Sequence, residues 1–379
     1  MLQVQASEPK PRRPRGLSDG QRWDVQYRCG SIDYAHNLQG GWEPLQNPDI
    51  SKFKWRRPPS TIWLRGLHQA VSNLYRGTDP EFFLWDGMRR VPAFEVLPDK
   101  KRANPWFWDG FQAETTIGAE TCHECTVRNI SGAMKVLKGM GLKVHPSTSW
   151  KVPNELLQTA SDSHVALGCD ASYNAYRLKG REVPIPRLLP WRSCGGHLHF
   201  QMAPEEREDW AHVVHIVKSL DLFLGVPSVA LFQNVDQRVR RFYYGLPGEF
   251  RLPPHGLEYR VLSNAWAWHP QSTMLIFDMA RQAFAMGRAH FKNMWIGSER
   301  QAIECIQYGD VRLAQELTRA NKWYFEELTG WRYQRSDTFW RAIERGIDQV
   351  IPDFGRDIVE QWQGIEHYRD APKWRSLSL

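Results

Sequence analysis

The order of strand and helix signals constrains this chain more than any other feature. Segments that read as strands in hairpins come first, and most helical periods come last. GTDPEFFLW is a short strand entered by a turn and closed by Asp86-Gly87, and VPAFEVL (91–97) is its return. Asp109-Gly110 opens FQAETTIG, in which Gln112, Glu114 and Thr116 share one face. GGHLHF and GLEYRVLSN are further strands. Helical spacing appears at Leu64, Leu67, Val71 and Leu74 with Gly77 as a stop, over 127–142, and from Pro204-Glu205-Glu206 to about Leu224. Beyond residue 270 the chain reads as mostly helical, at 274–290, 311–328, 338–351 with Asp337 as cap, and 357–365. A β-α-β rhythm is missing, so the expectation is an α+β domain on an antiparallel sheet rather than a doubly wound fold. The sequence also has no GxxxxGK[ST] loop and no GxGxxG at a strand–helix junction.

The 379 residues can bury one large core or two ordinary ones. Residues 1–60 carry KPRRPRG and the cations Lys52, Lys54, Arg56 and Arg57 among Gly, Pro, Asn and Trp. They read as a basic, irregular N-terminal extension, leaving 61–379 as the main domain. A net charge of +7 favours an anionic partner such as a nucleotide or nucleic acid. Six cysteines form no disulfide framework in a chain this long, which points to a reducing compartment. With no membrane-length apolar run and no signal-like start, a soluble, cytoplasmic protein that engages no membrane is expected. Most of the 18 tryptophans are expected to serve packing.

The chemistry gathers around Cys194–His199. His197 and His199 are two apart, so an extended strand points both imidazoles into one space, and Gly195-Gly196 removes bulk as where a backbone approaches a ligand. Asp79 and Glu81 alternate across Pro80, Glu114 lies in mid-strand, and Glu258 lies two before Arg260. Buried carboxylates need a cation close by. Acids on several strands beside an imidazole pair therefore point to Mg²⁺ or Mn²⁺, although each acid taken singly reads more readily as a surface or salt-bridge residue. Arg238, Arg240, Arg241, Arg251 and Arg260 bracket YYGLPGEF, and guanidinium groups suit bidentate phosphate contacts; Arg238 reads as a surface residue. Cys122-His-Glu-Cys125 lacks a second pair at zinc spacing and reads as ordinary cysteines.

GTDPEFFLWD, DGFQAE, GCDASYNAY, RSCGGHLHF, LDLFLGVPSVAL, RRFYYGLPGEFR and GLEYRVLSNAW resemble the phage-encoded carboxylate–amine ligases of the glutamine synthetase fold, from about Gly77 to Pro270. The resemblance implies a curved antiparallel sheet with helices on its outer face. It implies an ATP-dependent ligase that joins a carboxylate to an amine through an acyl phosphate, with two or more Mg²⁺ or Mn²⁺ ions. By the resemblance, Asp79, Glu81, Glu114, His197 and Glu258 hold metal, His197 on the nucleotide side, and His199 supports it or touches substrate. Arg240 or Arg241, with Arg251 and Arg260, would bind phosphate or substrate. Glu120 is offered as a second carboxylate at a different spacing from that of glutamine synthetase, which leaves the substrates open. The segments at Trp106–Trp108 and 168–176 would exclude water. The substrates would be small-molecule or peptide acids and amines, with nucleic acid as an optional partner. Two other readings stand beside this one: an inactive ligase fold that binds nucleic acid or a virion component, and a metal-dependent hydrolase.

Overall fold

A computed structural model describes residues 26–29, 32–36, 42–44, 55–56, 74–99, 105–166, 172–177, 186–288, 297–327, 334–367 and 370. Four short strands near the N-terminus, β1 (Gln26–Cys29), β2 (Ile32–His36), β3 (Trp42–Pro44) and β4 (Trp55–Arg56), form a sheet in the order β3-β2-β1-β4. The segment read as irregular thus contains regular structure. Its strands are two to five residues long, too short for a period to show. The helix expected at Leu64–Leu74 lies outside the described residues apart from its last member.

The main sheet is built on β5 (Arg76–Trp85), followed by β6 (Arg90–Val91), β7 (Trp106–Asp109), β8 (Gln112–Thr115), β9 (Ile117–Glu120) and β10 (Lys143–His145). A two-stranded ribbon pairs β11 (Ser149–Lys151) with β13 (Trp191–Ser193). β12 (Tyr173–Asn174), β14 (Gly196–Gln201), β15 (Glu249–Arg251) and β16 (Gly256–Tyr259) complete the main sheet. Its path is β12-β15-β16-β14-β5-β8-β7, with β6, β9 and β10 also on β5, and every pair is antiparallel. The α+β, antiparallel expectation holds.

Alternation sorts the two faces. On β14, Leu198 and Phe200 are buried in the core, and the Phe200 ring stacks on Phe284 of the helix Pro270–Arg288 at 4.7 Å between centroids. His197 and His199 leave the strand on the other face. On β16, Tyr259 reaches back to Asp221 in the helical run Trp210–Leu231, while Glu258 faces forward with the histidines. Helices therefore seal the apolar face, and the polar residues gather on the other.

Several local expectations change. Gly77 lies inside β5, so it stops no helix, and the strand runs ten residues. The return strand is only Arg90–Val91; beyond Pro92 the chain turns into the helix Ala93–Val96. Thr116 breaks the expected long strand into β8 and β9 and leaves the face of Glu114. The helix read at 127–142 spans His123–Gly139, and the one at 311–328 divides into Val311–Ala320 and Lys322–Glu327. Asp337 sits inside the helix Gln334–Arg345 rather than capping it, and Glu299–Tyr308 is a helix the periodicity did not reveal. Trp210–Leu231 is 22 residues long and apolar enough to span a membrane, contrary to the expectation that no apolar run reaches that length. His212, His215, Lys218 and Asp221 interrupt it in sequence. Most of it (83% of its apolar window) is buried inside the protein, as suits a core helix.

Candidate active site

Strand register assembles the site. Residues directly opposite in an antiparallel pair share a face with their Cβ atoms about 5 Å apart. His197 stands opposite Asp79, Glu81 opposite Glu114, His199 opposite Glu258, and Glu258 opposite Arg251. Five strands, β15, β16, β14, β5 and β8, thus lay one polar band across the sheet.

At the β14 side, Asp79 lies between both imidazoles. Its Oδ1 is 3.1 Å from His197 Nδ1, and its Oδ2 is 3.1 Å from His199 Nε2. Burial pushes the Asp79 carboxyl up, yet His197 and His199 outweigh it and hold the group below the usual range. Burial lowers His197, which favours a neutral ring. With Nδ1 facing Asp79 and, at 3.5 Å, Glu258, the single proton is assigned there. Nε2 then accepts from the Tyr244 hydroxyl, whose oxygen accepts from Arg260 Nη2 at 2.7 Å. His199 bonds His255 through Nδ1 at 2.9 Å, and Asp79 holds it above its ordinary value against the effect of burial.

Glu258 accepts two bonds from Arg251, at 2.7 and 2.8 Å, and one from Arg260 at 2.8 Å. Its carboxyl is lowered although burial opposes this, because His197, Arg251 and Arg260 all favour the anion. At the β8 side, Glu81 is raised well above the carboxylate range by burial and by the charges of Asp109 and Glu114. The Gly195 N–H, which donates to Glu81 Oε2 at 2.6 Å, works the other way.

Gly195 and Gly196 do serve a close approach, but to the protein itself. A Cβ on Gly195 would lie 2.2 Å from His197 Nε2, and one on Gly196 would lie 2.2 Å from Trp266 Nε1. The glycines let the His197 ring fold back beside the strand while Gly195 N–H reaches Glu81.

Two groups of residues could each hold a cation: Asp79 with His199 and Glu258, and Glu81 with Asp109 and Glu114, the ligand atoms of each lying within 4.8 Å of one another. Oxygen-rich donors with one imidazole fit Mg²⁺ or Mn²⁺. A cation would also relieve the charge crowding that raises Glu81.

The expected ligands Asp79, Glu81, Glu114 and Glu258 therefore come together, with two changes. His199, not His197, is the imidazole in the first group, while His197 is held between Asp79 and Tyr244. Asp109, not Glu120, is the third carboxylate of the second group; Glu120 instead accepts from Asn129 at 3.2 Å. Among the arginines, Arg251 and Arg260 reach the band. Arg240 is buried and donates to the carbonyls of Cys194, Arg260, Val261 and Leu262, so it ties the backbone together rather than facing a phosphate. Arg241 is directed to Gln237 and toward Gly309, which follows the helix Glu299–Tyr308, and it also lies off the band. Arg238 is exposed beside Asp236.

Asp109, Tyr244 and His255 were not singled out from the sequence. Asp109 sits in an Asp-Gly pair that reads as turn chemistry, and only the strand register sets it opposite Gln112, two before Glu114. Trp106 is a core residue whose Nε1 donates to Ala133 O at 2.7 Å, so it cannot serve as cover. In the other cover segment, residues 168–171 lie outside the described residues, and Tyr173–Asn174 is strand. Cys122, Cys125, Cys194 and Cys305 are free, and neither candidate metal group among the described residues contains a cysteine.

Residues 188–363 match the model of a family described as Phage phiEco32-like COOH.NH2 ligase-type 2, the kind of ligase that the motifs resemble. The match starts C-terminal to β5 and β8 and extends well past Pro270. A carboxylate–amine ligase is thus the class of protein the comparison supports. No curated protein matches the sequence. Two solved structures are similar at a low level. One is a bifunctional glutathione synthetase from Pasteurella multocida, with 12% identity, TM-score 0.37 and coverage of 82% of this chain and 54% of that one. The other is a novel glutamine synthase homolog, with 14% identity, TM-score 0.36 and coverage of 84% and 81%. The chain spans about half the length of the first. Neither likeness is close enough to carry an inference about chemistry.

Proposed function

We propose that the polar band is the active site of an ATP-dependent ligase of the glutamine synthetase fold, which joins a carboxylate to an amine through an acyl phosphate. The observation that carries this reading is the pairing of His197 with Asp79, Glu81 with Glu114 and His199 with Glu258 on one sheet face. Two Mg²⁺ or Mn²⁺ ions, held by Asp79, His199 and Glu258 and by Glu81, Asp109 and Glu114, would draw charge from the phosphates of ATP.

In the first step a carboxylate oxygen of the acid attacks the γ-phosphorus, and the bond to the ADP oxygen breaks. Arg251, a quarter exposed and directed at Glu258, is placed to neutralise a phosphoryl oxygen. Arg260 is fully buried, so its part is to hold Glu258 and Tyr244 in position. In the second step the amine nitrogen attacks the acyl carbon, phosphate leaves, and the amine proton passes to a carboxylate of the band. Tyr244 and Asp79 clamp His197 from both ring nitrogens, which fixes the strand on which His199 is presented. The substrates are small-molecule or peptide acids and amines, and the setting is cytoplasmic.

The test is incubation with ATP, Mg²⁺ and hydroxylamine across a panel of acids. Hydroxamate with matching ADP is the expected product. Metal-dependent cleavage without ATP would replace this reading by a hydrolase, and no turnover with any acid would leave a binding protein.

A further inference from the structure

The back of the same sheet carries a cavity. An open cleft of about 500 Å³ lies between β8, β9 and the helix His123–Gly139, lined in part by Thr115, Thr116, Gly118, Arg128, Gly132 and Lys135. Glu114 and Thr115 are consecutive in β8, so their side chains leave on opposite faces. The cleft is thus behind the carboxylate group, not part of it.

Three features of the cleft point to a ligand. Arg128 donates from Nε and Nη2 to the amide oxygen of Asn129, at 3.3 and 3.0 Å, and no carboxylate pairs with it among the described residues. Its charge therefore meets only a neutral partner. Lys135, seven residues on and so on the same helix face, adds a second cation, which is 3.3 Å from the exposed Glu366. The Thr115 side chain is buried, and its hydroxyl has no partner. Buried hydroxyls are normally bonded, and this one, fully buried beneath the cleft wall, has no bond among the described residues. Finally, a Cβ on Gly118 or Gly132 would meet nothing within 4 Å. Glycine in mid-helix weakens the helix, and the space beside Gly132 is open to a side chain.

We propose that this cleft is a second ligand site that takes a small molecule bearing an oxyanion, carboxylate or phosphate, on Arg128. Lys135, paired with Glu366, stands at the rim, and the buried Thr115 hydroxyl lies beneath the cleft wall. The site is independent of the ligase reading, since it shares no residue with the polar band.

Calorimetric titration of the full chain with inorganic phosphate, and separately with succinate, tests it. Saturable binding of at least one is expected, and which one binds identifies the source of the oxyanion. Arg128→Gln should weaken binding by about tenfold or more through loss of charge-assisted bonds. Gly132→Met, whose side chain enters open space, should abolish binding with an unchanged circular dichroism spectrum. If Gly132→Met does not fold, Arg128→Gln decides alone. Failure of both anions to saturate by about 10 mM, or equal affinity in Arg128→Gln, would overturn the proposal.

Discussion

Replacing Glu81 by Gln separates charge from shape in the carboxylate group. The ligand atoms of Glu81, Asp109 and Glu114 lie within 4.8 Å of one another. At an effective dielectric constant of about 20, two unit charges at that distance repel by about 3.5 kcal/mol. In the metal-free protein burial and its two neighbours push the Glu81 carboxyl up, which favours the protonated form and eases this repulsion. A neutral amide at this position removes the repulsion, and its oxygen can still accept the Gly195 N–H. Without metal, Glu81→Gln should therefore melt at or above the wild-type temperature. With Mn²⁺ at a hundred times its dissociation constant, the wild type should gain about 2.7 kcal/mol, or about 3 °C in a chain of this size. The variant should lose most of that gain and its hydroxamate activity. Differential scanning calorimetry with and without Mn²⁺ measures both effects. An equal Mn²⁺ shift in the two proteins, or a variant several degrees less stable without metal, would refute the reasoning.

Asp221 supplies a pH dependence that lies apart from the band. Burial raises its carboxyl to about 7 against the Tyr259 hydrogen bond, so the folded state keeps a proton that the unfolded chain releases near 3.8. Stability is unaffected below the unfolded value, falls as pH rises from about 4 to 7, and then levels. The whole change is roughly 4 kcal/mol at most. Asp221→Asn should flatten that slope in denaturant titrations at pH 4 and 8. Arg240→Met should remove the guanidinium from four buried carbonyls, of which Leu262 O keeps the Gly196 N–H, and lower stability by several kcal/mol, seen as a reduced urea midpoint before any effect on ATP binding. His199→Ala should weaken Mn²⁺ binding by about tenfold or more in calorimetric titration while secondary structure is unchanged; unaltered affinity would remove His199 from the metal group.

The candidate site was legible wherever it depended on a local period. Asp79 with Glu81, His197 with His199, and Glu258 with Arg260 are each two apart, and a strand places such residues on one face whatever surrounds it. The antiparallel α+β class followed from the order of hairpins and helices in the same way. What local spacing cannot carry is which strand lies beside which, and in what register. Sliding β14 by one residue on β5 would turn both imidazoles into the core, so the pairing of His197 with Asp79 belongs to the assembled sheet. The same holds for the arginines. Arg240 and Arg241 are adjacent in a short helix, and only the packing of that helix sends Arg240 to the strand carbonyls and Arg241 toward the helix Glu299–Tyr308. Asp109 joined the carboxylates for a like reason. Its neighbours in sequence describe a turn, and its neighbours in space, Glu81 and Glu114, come from two other strands.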